Sequence, residues 1–347
     1  MQYGKKILAA VIALTMVLAM TGCSSQTESA EEQSTAASSI RLGTGGIGGN
    51  YYAYGNALNQ LVTGDAEEMA MSVKTTAGSA ANLRLISEGF LEMGIVQSDI
   101  LADAAEGTGL FEESGAIGGY SAVAGLYTEA CQVIVAADSD IEEISDLQGR
   151  SISVGEEESG VVRNAQQILQ AYGLTFSNVD AKYLSFADSA AAMQAGEIEA
   201  FFCTAGAPTT AVTELAREMD IRILSIDEKQ MEQMMSLYNG FTTCVIPAGT
   251  YQGQTEDVTT VGVKAVLVAG SDVAAETVQS ITEAMFTHAD ELKYATSADT
   301  TLDLAFATED IPVGFHSGAA AYYSAQGVTV EEAEAGSGSS VSGGQDK

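Results

Sequence analysis

Short apolar runs alternate with longer amphipathic segments along residues 40–330 of this chain. Apolar runs of about four to eight residues, bounded by glycine and small polar residues, are typical of buried strands. The predicted strands are 40–42, 70–75, 93–96, 131–136, 151–154, 182–184, 200–203 and 261–268. Helical patterns separate these runs, and such an alternation predicts a mostly parallel sheet with right-handed crossovers.

The helices between the strands begin at small polar residues, which are the residues that cap helix N-termini. The predicted helices are 51–62, 80–88, one after 97–99, one ending at 171, one ending at 195, one opened by 204–208, and a long amphipathic helix over 273–294. These units fall into two sets, which predicts two α/β lobes. In open α/β sheets, ligands bind at the carboxyl ends of strands beside helix N-termini, so the loops there are the candidate sites.

The first residues of the chain predict export. Lys5 and Lys6 form a short basic region, and residues 7–20 are apolar apart from Thr15. This run is shorter than the about 20 apolar residues of a transmembrane helix and fits a secretory signal peptide. Small residues precede Cys23, as in the lipobox of bacterial lipoproteins, so we expect residues 1–22 to be removed and Cys23 to be lipidated. The alternative is a signal peptide without lipidation.

Polar segments flank the predicted folded region. Residues 23–39 are rich in Ser, Thr, Ala, Glu and Gln and predict a flexible tether. Residues 331–347 are acidic and then rich in Gly and Ser, which predicts a disordered tail. The region between them is longer than one average domain, in agreement with two lobes.

The chain is strongly acidic. It has 47 acidic and 14 basic residues, so its formal net charge is −33. Such a surface repels nucleic acid and anionic lipid. We therefore expect no nucleic-acid partner, and contact with the membrane only through the lipid anchor.

A glycine-rich loop lies between the first predicted strand and the first helix. Residues 43–48 satisfy G-x-G-x-x-G, a pattern that dinucleotide-binding folds use. Those folds also need an acidic residue at the end of the second strand, where this chain has Lys-Thr-Thr at 74–76. We therefore expect the loop to face a small ligand instead. Tyr51, Tyr52 and Tyr54 follow it and are either aromatic walls of the site or packed residues.

Two further loops carry groups that suit a small carboxylate or amide. Ser79 and Asn82 place a hydroxyl and a carboxamide at a predicted helix N-terminus, where N–H groups and the helix dipole favour negative charge. Asp99 lies at the start of the next predicted helix. It either accepts a hydrogen bond from a ligand ammonium or is an ordinary helix cap.

Several segments together resemble the TAXI family, the extracytoplasmic solute receptors that are associated with TRAP transporters. The most specific segments are GTGGIGGNYYAYGNAL, TTAGSAANLRLISEG and MGIVQSDIL. The later similar segments are DLQGRSISVGEEESG, GEIEAFFCTAGAP and IPAGTYQGQTEDVTTVGVKAVLV. Strings like DLQGR also occur in many other periplasmic-type receptors and are less specific. The resemblance covers nearly all of residues 40–330, in order.

The resemblance implies a type II periplasmic-binding-protein fold, with two α/β lobes joined by crossing strands and a ligand cleft between them. We assign residues 40–128 plus 250–330 to the first lobe and residues 129–249 to the second. The implied ligands are small carboxylates, such as glutamate-like amino acids or organic acids. The implied ligand-binding residues are Thr44, Gly45, Tyr51, Ser79, Asn82, Asp99, Ser159, Gly160 and Gly206.

Charged residues around the second-lobe loop depart from the family pattern. Glu156, Glu157 and Glu158 form an acidic run where family members usually carry small residues. If the run faces the cleft, a dianionic ligand becomes doubtful and an amino acid or a cation is favoured; if it faces solvent, nothing changes. Arg163 either reaches a ligand carboxylate or is a surface residue, and we favour the surface.

The sequence offers no catalytic or metal-binding constellation. His288 shares a helical stripe of apolar residues and is expected to be packed, and His316 has no metal-ligand partner at a useful spacing. The folded region has no G-x-S-x-G, H-E-x-x-H or C-x-x-C motif. Cys131, Cys203 and Cys244 are predicted to be buried small side chains; one disulfide plus a free thiol is the alternative.

These observations predict a lipid-anchored solute receptor, monomeric and without a cofactor, that delivers its ligand to a TRAP membrane permease. One alternative is a ligand carrier of the same fold for an ABC importer or a chemoreceptor. A neighbouring gene for a multi-span TRAP permease, rather than for an ATPase, would separate the two. The other alternative is an extracellular enzyme with paired carboxylates, which would convert its ligand.

Overall fold

The computed structural model of the protein describes residues 38–65, 69–296 and 302–334. The predicted signal peptide, Cys23 and most of the predicted tether and tail lie outside the described residues. In the described part of the chain, no helix is both long enough and apolar enough to cross a membrane.

The described residues form ten strands and eleven α-helices. The strands are β1 (Ser38–Gly43), β2 (Met69–Lys74), β3 (Met93–Gln97), β4 (Tyr120–Ala136), β5 (Ser151–Ser153), β6 (Asp180–Lys182), β7 (Ala200–Ala205), β8 (Ile221–Ile223), β9 (Thr242–Ile246) and β10 (Val258–Gly270). The helices are α1 (Asn50–Asp65), α2 (Ser79–Ser87), α3 (Ser98–Glu106), α4 (Gly160–Ala171), α5 (Phe186–Gln194), α6 (Thr210–Glu218), α7 (Glu228–Leu237), α8 (Ala275–Thr287), α9 (Ala289–Thr296), α10 (Leu304–Thr308) and α11 (Ser317–Ala325). The main strand order is β2-β1-β3-β10-β4-β7-β5-β6, with β9 beside β10 and β8 beside β4.

The two longest strands, β4 and β10, pair antiparallel at the centre of the sheet and belong to both lobes. β10 pairs with β3 over residues 265–269 and with β9 over residues 258–262. β4 pairs with β7 over residues 130–135. Parallel strands flank this centre, β1 to β3 on one side and β5 to β7 on the other. The chain thus enters the second lobe along β4 and returns along β10, which confirms the predicted two-lobed α/β architecture. The prediction of a mostly parallel sheet is wrong, because β4 and β10 pair antiparallel with each other and with their other neighbours.

Each lobe has its own apolar core. The first core includes Leu42 and Tyr323, which come from the two ends of the described chain. Tyr251 and Val263 pack in the clusters of the second lobe, although we assigned residues 250–263 to the first. The return crossing therefore lies near Lys264 rather than at residue 250, because β10 completes its pairing with β9 before it reaches β3.

The long helix predicted over residues 273–294 is two helices, α8 and α9. His288 separates them with φ −110° and ψ 27°, and its N–H donates to the carbonyl of Ala284. Asp290 and Glu291 then lie in the first turn of α9, where acidic side chains favour a helix start. The helical spacing continues across this break, so the apolar pattern alone does not reveal it.

Other boundaries also differ from those predicted. β4 begins at Tyr120 rather than at residue 131, because the buried apolar stretch continues toward the N-terminus of the strand. β6 lies two residues earlier than predicted. The predicted tether and tail also contribute to the fold: β1 begins at Ser38, and Phe315 exchanges backbone hydrogen bonds with Glu331 and Ala333.

Hydrogen bonds of the buried Asn82 side chain, on α2, connect the loops of the first lobe. Asn82 is fully buried, and its Nδ2 donates to the carbonyls of Thr44 at 2.7 Å and Ile95 at 2.8 Å. Its Oδ1 accepts from the Thr76 hydroxyl at 2.7 Å. Gly43 allows this approach, because a Cβ at that position would lie 2.5 Å from the Asn82 oxygen. The ends of β1, β2 and β3 are thereby held together.

Asn82→Ala should lower the free energy of unfolding by roughly 3 kcal/mol, because buried acceptors would lose their donor. Urea unfolding measures this change. Asn59→Ala is the matched control, since Asn59 lies on the partly exposed face of α1 and hydrogen bonds only the Thr63 hydroxyl. Equal stability of the two variants would contradict the role assigned to Asn82.

Candidate functional site

A cavity lies between the lobes, beside the ends of β1, β3 and β7 and the N-termini of α1, α2 and α4, with about 540 Å³ of empty space that includes open solvent. The first lobe contributes Gly45, Tyr51 and Ser79 to its wall, and the second contributes Ser159, Gly160 and Phe186. This cavity is the candidate functional site.

Five of the nine predicted ligand-binding residues line the cavity, namely Gly45, Tyr51, Ser79, Ser159 and Gly160. The other four are absent from its described lining, namely Thr44, Asn82, Asp99 and Gly206. Their polar groups are occupied within the protein. We therefore correct their assignment from ligand contact to support of the loops that form the wall.

The contacts of these four residues explain the correction. The Thr44 hydroxyl donates to the Lys74 carbonyl, and Nδ2 of Asn82 donates to the Thr44 carbonyl. Both residues therefore hold together the ends of the strands β1, β2 and β3. The Gly206 carbonyl accepts from the Thr209 hydroxyl at 2.8 Å. Asp99 accepts from Nδ2 of Asn164 in the second lobe at 2.7 Å, so it lies in a lobe–lobe contact behind the cavity wall.

The aromatic prediction holds for one of its three tyrosines. Tyr51 lines the cavity, whereas Tyr54 is buried in the first core beside Tyr127, with ring centroids 6.1 Å apart. Tyr52 is half-buried and does not belong to the described lining. Phe186, at the start of α5, supplies a second aromatic surface that the sequence did not indicate.

The N-terminus of α4 presents backbone donors to the cavity. Ser159 caps the helix, because its Oγ accepts from the Val162 N–H at 3.2 Å. The N–H groups of Gly160 and Val161 have no hydrogen-bond partner among the described residues, and both residues line the cavity. Unpaired N–H groups at a helix N-terminus favour an anionic ligand group.

The N-terminus of α2 is partly occupied by the other lobe. The N–H groups of Ala80 and Ala81 both donate to the Glu158 carbonyl at 3.1 Å. The Ser79 N–H has no partner among the described residues, and Ser79 lines the cavity. One free donor of α2 is therefore near the free donors of α4 in the same cavity wall.

Glu129 on β4 is the cavity residue that the sequence analysis missed. It is 2% exposed, lines the cavity, and accepts a hydrogen bond from the Tyr51 hydroxyl at 2.6 Å. Burial raises the pKa of Glu129 to about 8, although the hydrogen bond from Tyr51 acts in the opposite direction. The signal was an acidic residue within the apolar stretch 120–136, which we had not assigned to one strand.

The acidic run of the second-lobe loop divides between the cavity and solvent. Glu156 is half-buried and lines the cavity, and its pKa is raised by burial and by the charge of Asp188. Glu157 and Glu158 are exposed. Among the described residues that line the cavity, none is Lys, Arg or His. The charged side chains of the wall are therefore carboxylates.

The histidines, the cysteines and Arg163 are absent from the described lining of the cavity. Nδ1 of His316 accepts from the Gly318 N–H and caps α11. Cys131 and Cys203 are buried free thiols. Arg163 lies away from the cavity and pairs with Asp103 of the first lobe at 2.9 Å. In the described part of the chain, no group of three or more His, Cys, Asp or Glu side chains is arranged to hold a metal ion.

Comparison with solved structures identifies the fold. A protein from Bordetella bronchiseptica RB50 is 18% identical, with 86% of this chain and 84% of that chain covered and a TM-score of 0.51. A structure described as a periplasmic transporter is 11% identical, with 76% and 88% covered and a TM-score of 0.52. The periplasmic aliphatic sulphonate binding protein SsuA from Escherichia coli is 16% identical, with 75% and 73% covered and a TM-score of 0.44. The fold is that of the periplasmic-binding-protein-like structures.

The family is identified by the sequence match over most of the fold. Residues 42–327 match the NMT1-like family, a range that includes both lobes and the whole cavity wall. The narrower resemblance to the TAXI receptors stays a prediction. The chain therefore belongs to the NMT1-like family.

Proposed function

We propose that the protein is an extracytoplasmic, lipid-anchored receptor that encloses a small carboxylate-containing solute and delivers it to a TRAP-type membrane permease. The observation that supports this proposal best is the cavity between the lobes, with two helix N-termini in its wall. The TRAP partner rests on the resemblance of the glycine-rich opening and its following loops to the TAXI receptors. The anchor rests on the residues before Cys23.

Backbone donors support a carboxylate group on the solute. The free N–H groups of Ser79, Gly160 and Val161 lie in one cavity wall at the starts of α2 and α4. Such groups bind carboxylates without a cationic side chain, because the partial positive charge of the helix N-terminus adds to the hydrogen bonds.

Contacts between the lobes indicate that this is a closed form. Nε2 of Gln97 donates to Oδ1 of Asn164 at 2.7 Å, and the Arg163–Asp103 ion pair also joins the lobes. The hydrogen bonds that the Ala80 and Ala81 N–H groups of α2 donate to the Glu158 carbonyl also connect the lobes beside this cleft. A solute cannot exchange freely while these contacts persist, so binding requires an open form.

The mechanism that follows is a shift between open and closed populations. The open lobes admit the solute, and closure adds contacts from both lobes. β4 and β10 are the connections about which the lobes would move, because they carry the chain between them. The closed, loaded form is the state that a permease would recognise.

Solute binding should raise the melting temperature of the purified protein, because only the folded state binds. At a solute concentration of about 100 times Kd, the added stability is roughly 2.7 kcal/mol. A thermal-shift screen of amino acids and organic acids measures this effect. Mass spectrometry of the released solute should then find it unchanged; conversion of the solute would support the enzyme alternative.

Ser79→Ala should reduce the thermal shift, because the Ser79 hydroxyl accepts from the Gln97 N–H at 3.1 Å and thereby positions the start of α2 in the cavity wall. Ser87→Ala is the matched control at the exposed end of the same helix and should keep the full shift. Absence of a shift with every carboxylate would contradict the proposed solute class.

The contribution of Asp99 to the stability of the ligand-free protein should fall as the pH rises from about 4 to about 6. Burial raises the pKa of Asp99 from 3.8 to about 6, although the hydrogen bond from Asn164 opposes this shift. The buried carboxyl therefore contributes stability in its protonated form, fully present below about pH 4 and lost as the pH rises through about 6.

Asp99→Asn removes this titration, so its stability relative to the parent protein should rise with pH by up to about 3 kcal/mol. Urea unfolding at several pH values measures the difference. Asp138→Asn, at an exposed position, serves as the control and should show a constant difference. A constant difference for Asp99→Asn as well would contradict this role of Asp99.

A further inference from the structure

Glu129 places an acceptor in the cavity that the protein does not satisfy. One carboxyl oxygen, Oε2, accepts from the Tyr51 hydroxyl, and Oε1 accepts no hydrogen bond from any described residue. The side chain is 2% exposed and lines the cavity, so Oε1 is reached from the cavity, by water or by a solute. A solute that carries a donor can satisfy this oxygen.

The rest of the wall adds acceptors and no cation. Glu156 lines the same cavity, and no Lys, Arg or His belongs to its described lining. Asn50 also lines the cavity, and its Oδ1 has no hydrogen-bond partner. A solute whose charges are all negative would therefore meet carboxyl groups without a counter-charge from the protein.

Acceptors and donors are adjacent along this wall. Tyr51 and Ser79 line the same cavity as Glu129, and the Tyr51 hydroxyl donates to the Glu129 carboxyl group. The free Ser79 N–H then begins the donor group at α2. A site with an anionic acceptor next to helix N-terminal donors complements a molecule that carries an ammonium close to a carboxylate.

We infer that Glu129 is the residue that selects solutes with a protonated amine, so that the cavity takes amino-carboxylates and discriminates against carboxylates that lack the amine. This inference rests on the receptor function proposed above and narrows its solute class. The amine donates to Oε1 of Glu129, while the carboxylate accepts from the N–H groups of α2 and α4. The high pKa of Glu129 agrees with this pairing, since a buried carboxyl group ionises readily only when a cation is bound beside it.

The test compares solutes that differ only by the amine. Isothermal titration of the purified protein with glutamate and glutarate, alanine and propionate, and leucine and 4-methylvalerate gives the affinity ratio of each pair. For the pair that fits the cavity, the amine should improve affinity at least tenfold. In Glu129→Gln this ratio should fall to below about threefold, because the neutral amide cannot neutralise the ammonium.

Two matched variants separate charge selection from a structural role. Glu157→Gln changes an exposed residue of the acidic run and should keep the parental ratio. Tyr51→Phe removes the hydroxyl that donates to Oε2 of Glu129, so the affinity ratio should fall in this variant too. This variant tests the inference even if Glu129→Gln does not fold. A structural role of Glu129 would weaken both members of a pair equally and leave the ratio unchanged.

The outcomes distinguish the two levels of proposal. Equal or tighter binding of the amine-free members, or a ratio that survives Glu129→Gln, overturns the inference and leaves the receptor function in place. Absence of binding by every member of every pair counts against the receptor for small carboxylates, and the inference fails with it.

Discussion

The antiparallel pairing of β4 with β10 is the interaction on which the rest of the structure depends. These strands join two cores that otherwise form separately, and they make one sheet from two sets of parallel strands. Their length follows from nearly continuous burial. In β4, Thr128 is the exposed position, Ala136 at the strand's end is half-buried, and every other position, including Glu129, is buried.

Because β4 is buried on both faces, a charged residue within it must be satisfied by its surroundings or by a ligand. Glu129 lies where the strand passes from the first lobe to the second, and it lines the cavity between them. The crossing strand therefore connects the lobes and also places one carboxyl group in the cavity wall.

Much of the architecture could be predicted from the sequence, because apolar runs and helix caps are local signals. The loops at the ends of β1 and β3 and at the start of α4 followed from such signals, as did the strands of both lobes except β8 and β9, which were missed. Asn82 was misassigned because sequence spacing does not show whether a carboxamide at a helix start points out to a ligand or in to backbone carbonyls. Glu129 was missed because alternation does not identify the ligand side of a strand that is buried on both faces.

Gly160 has a consequence for how loss of function would arise. A Cβ at this position would lie 1.9 Å from Oε1 of Gln97, whose carboxamide also holds Asn164. Any larger residue would displace that carboxamide and break its hydrogen bond to Asn164, which joins the two lobes. Neither Gly160 nor Gln97 belongs to an apolar core, so such a substitution would weaken the contact between the lobes and leave the packing within each lobe in place. Under the proposed receptor function, the amount of folded protein and its capacity to retain a solute would then separate.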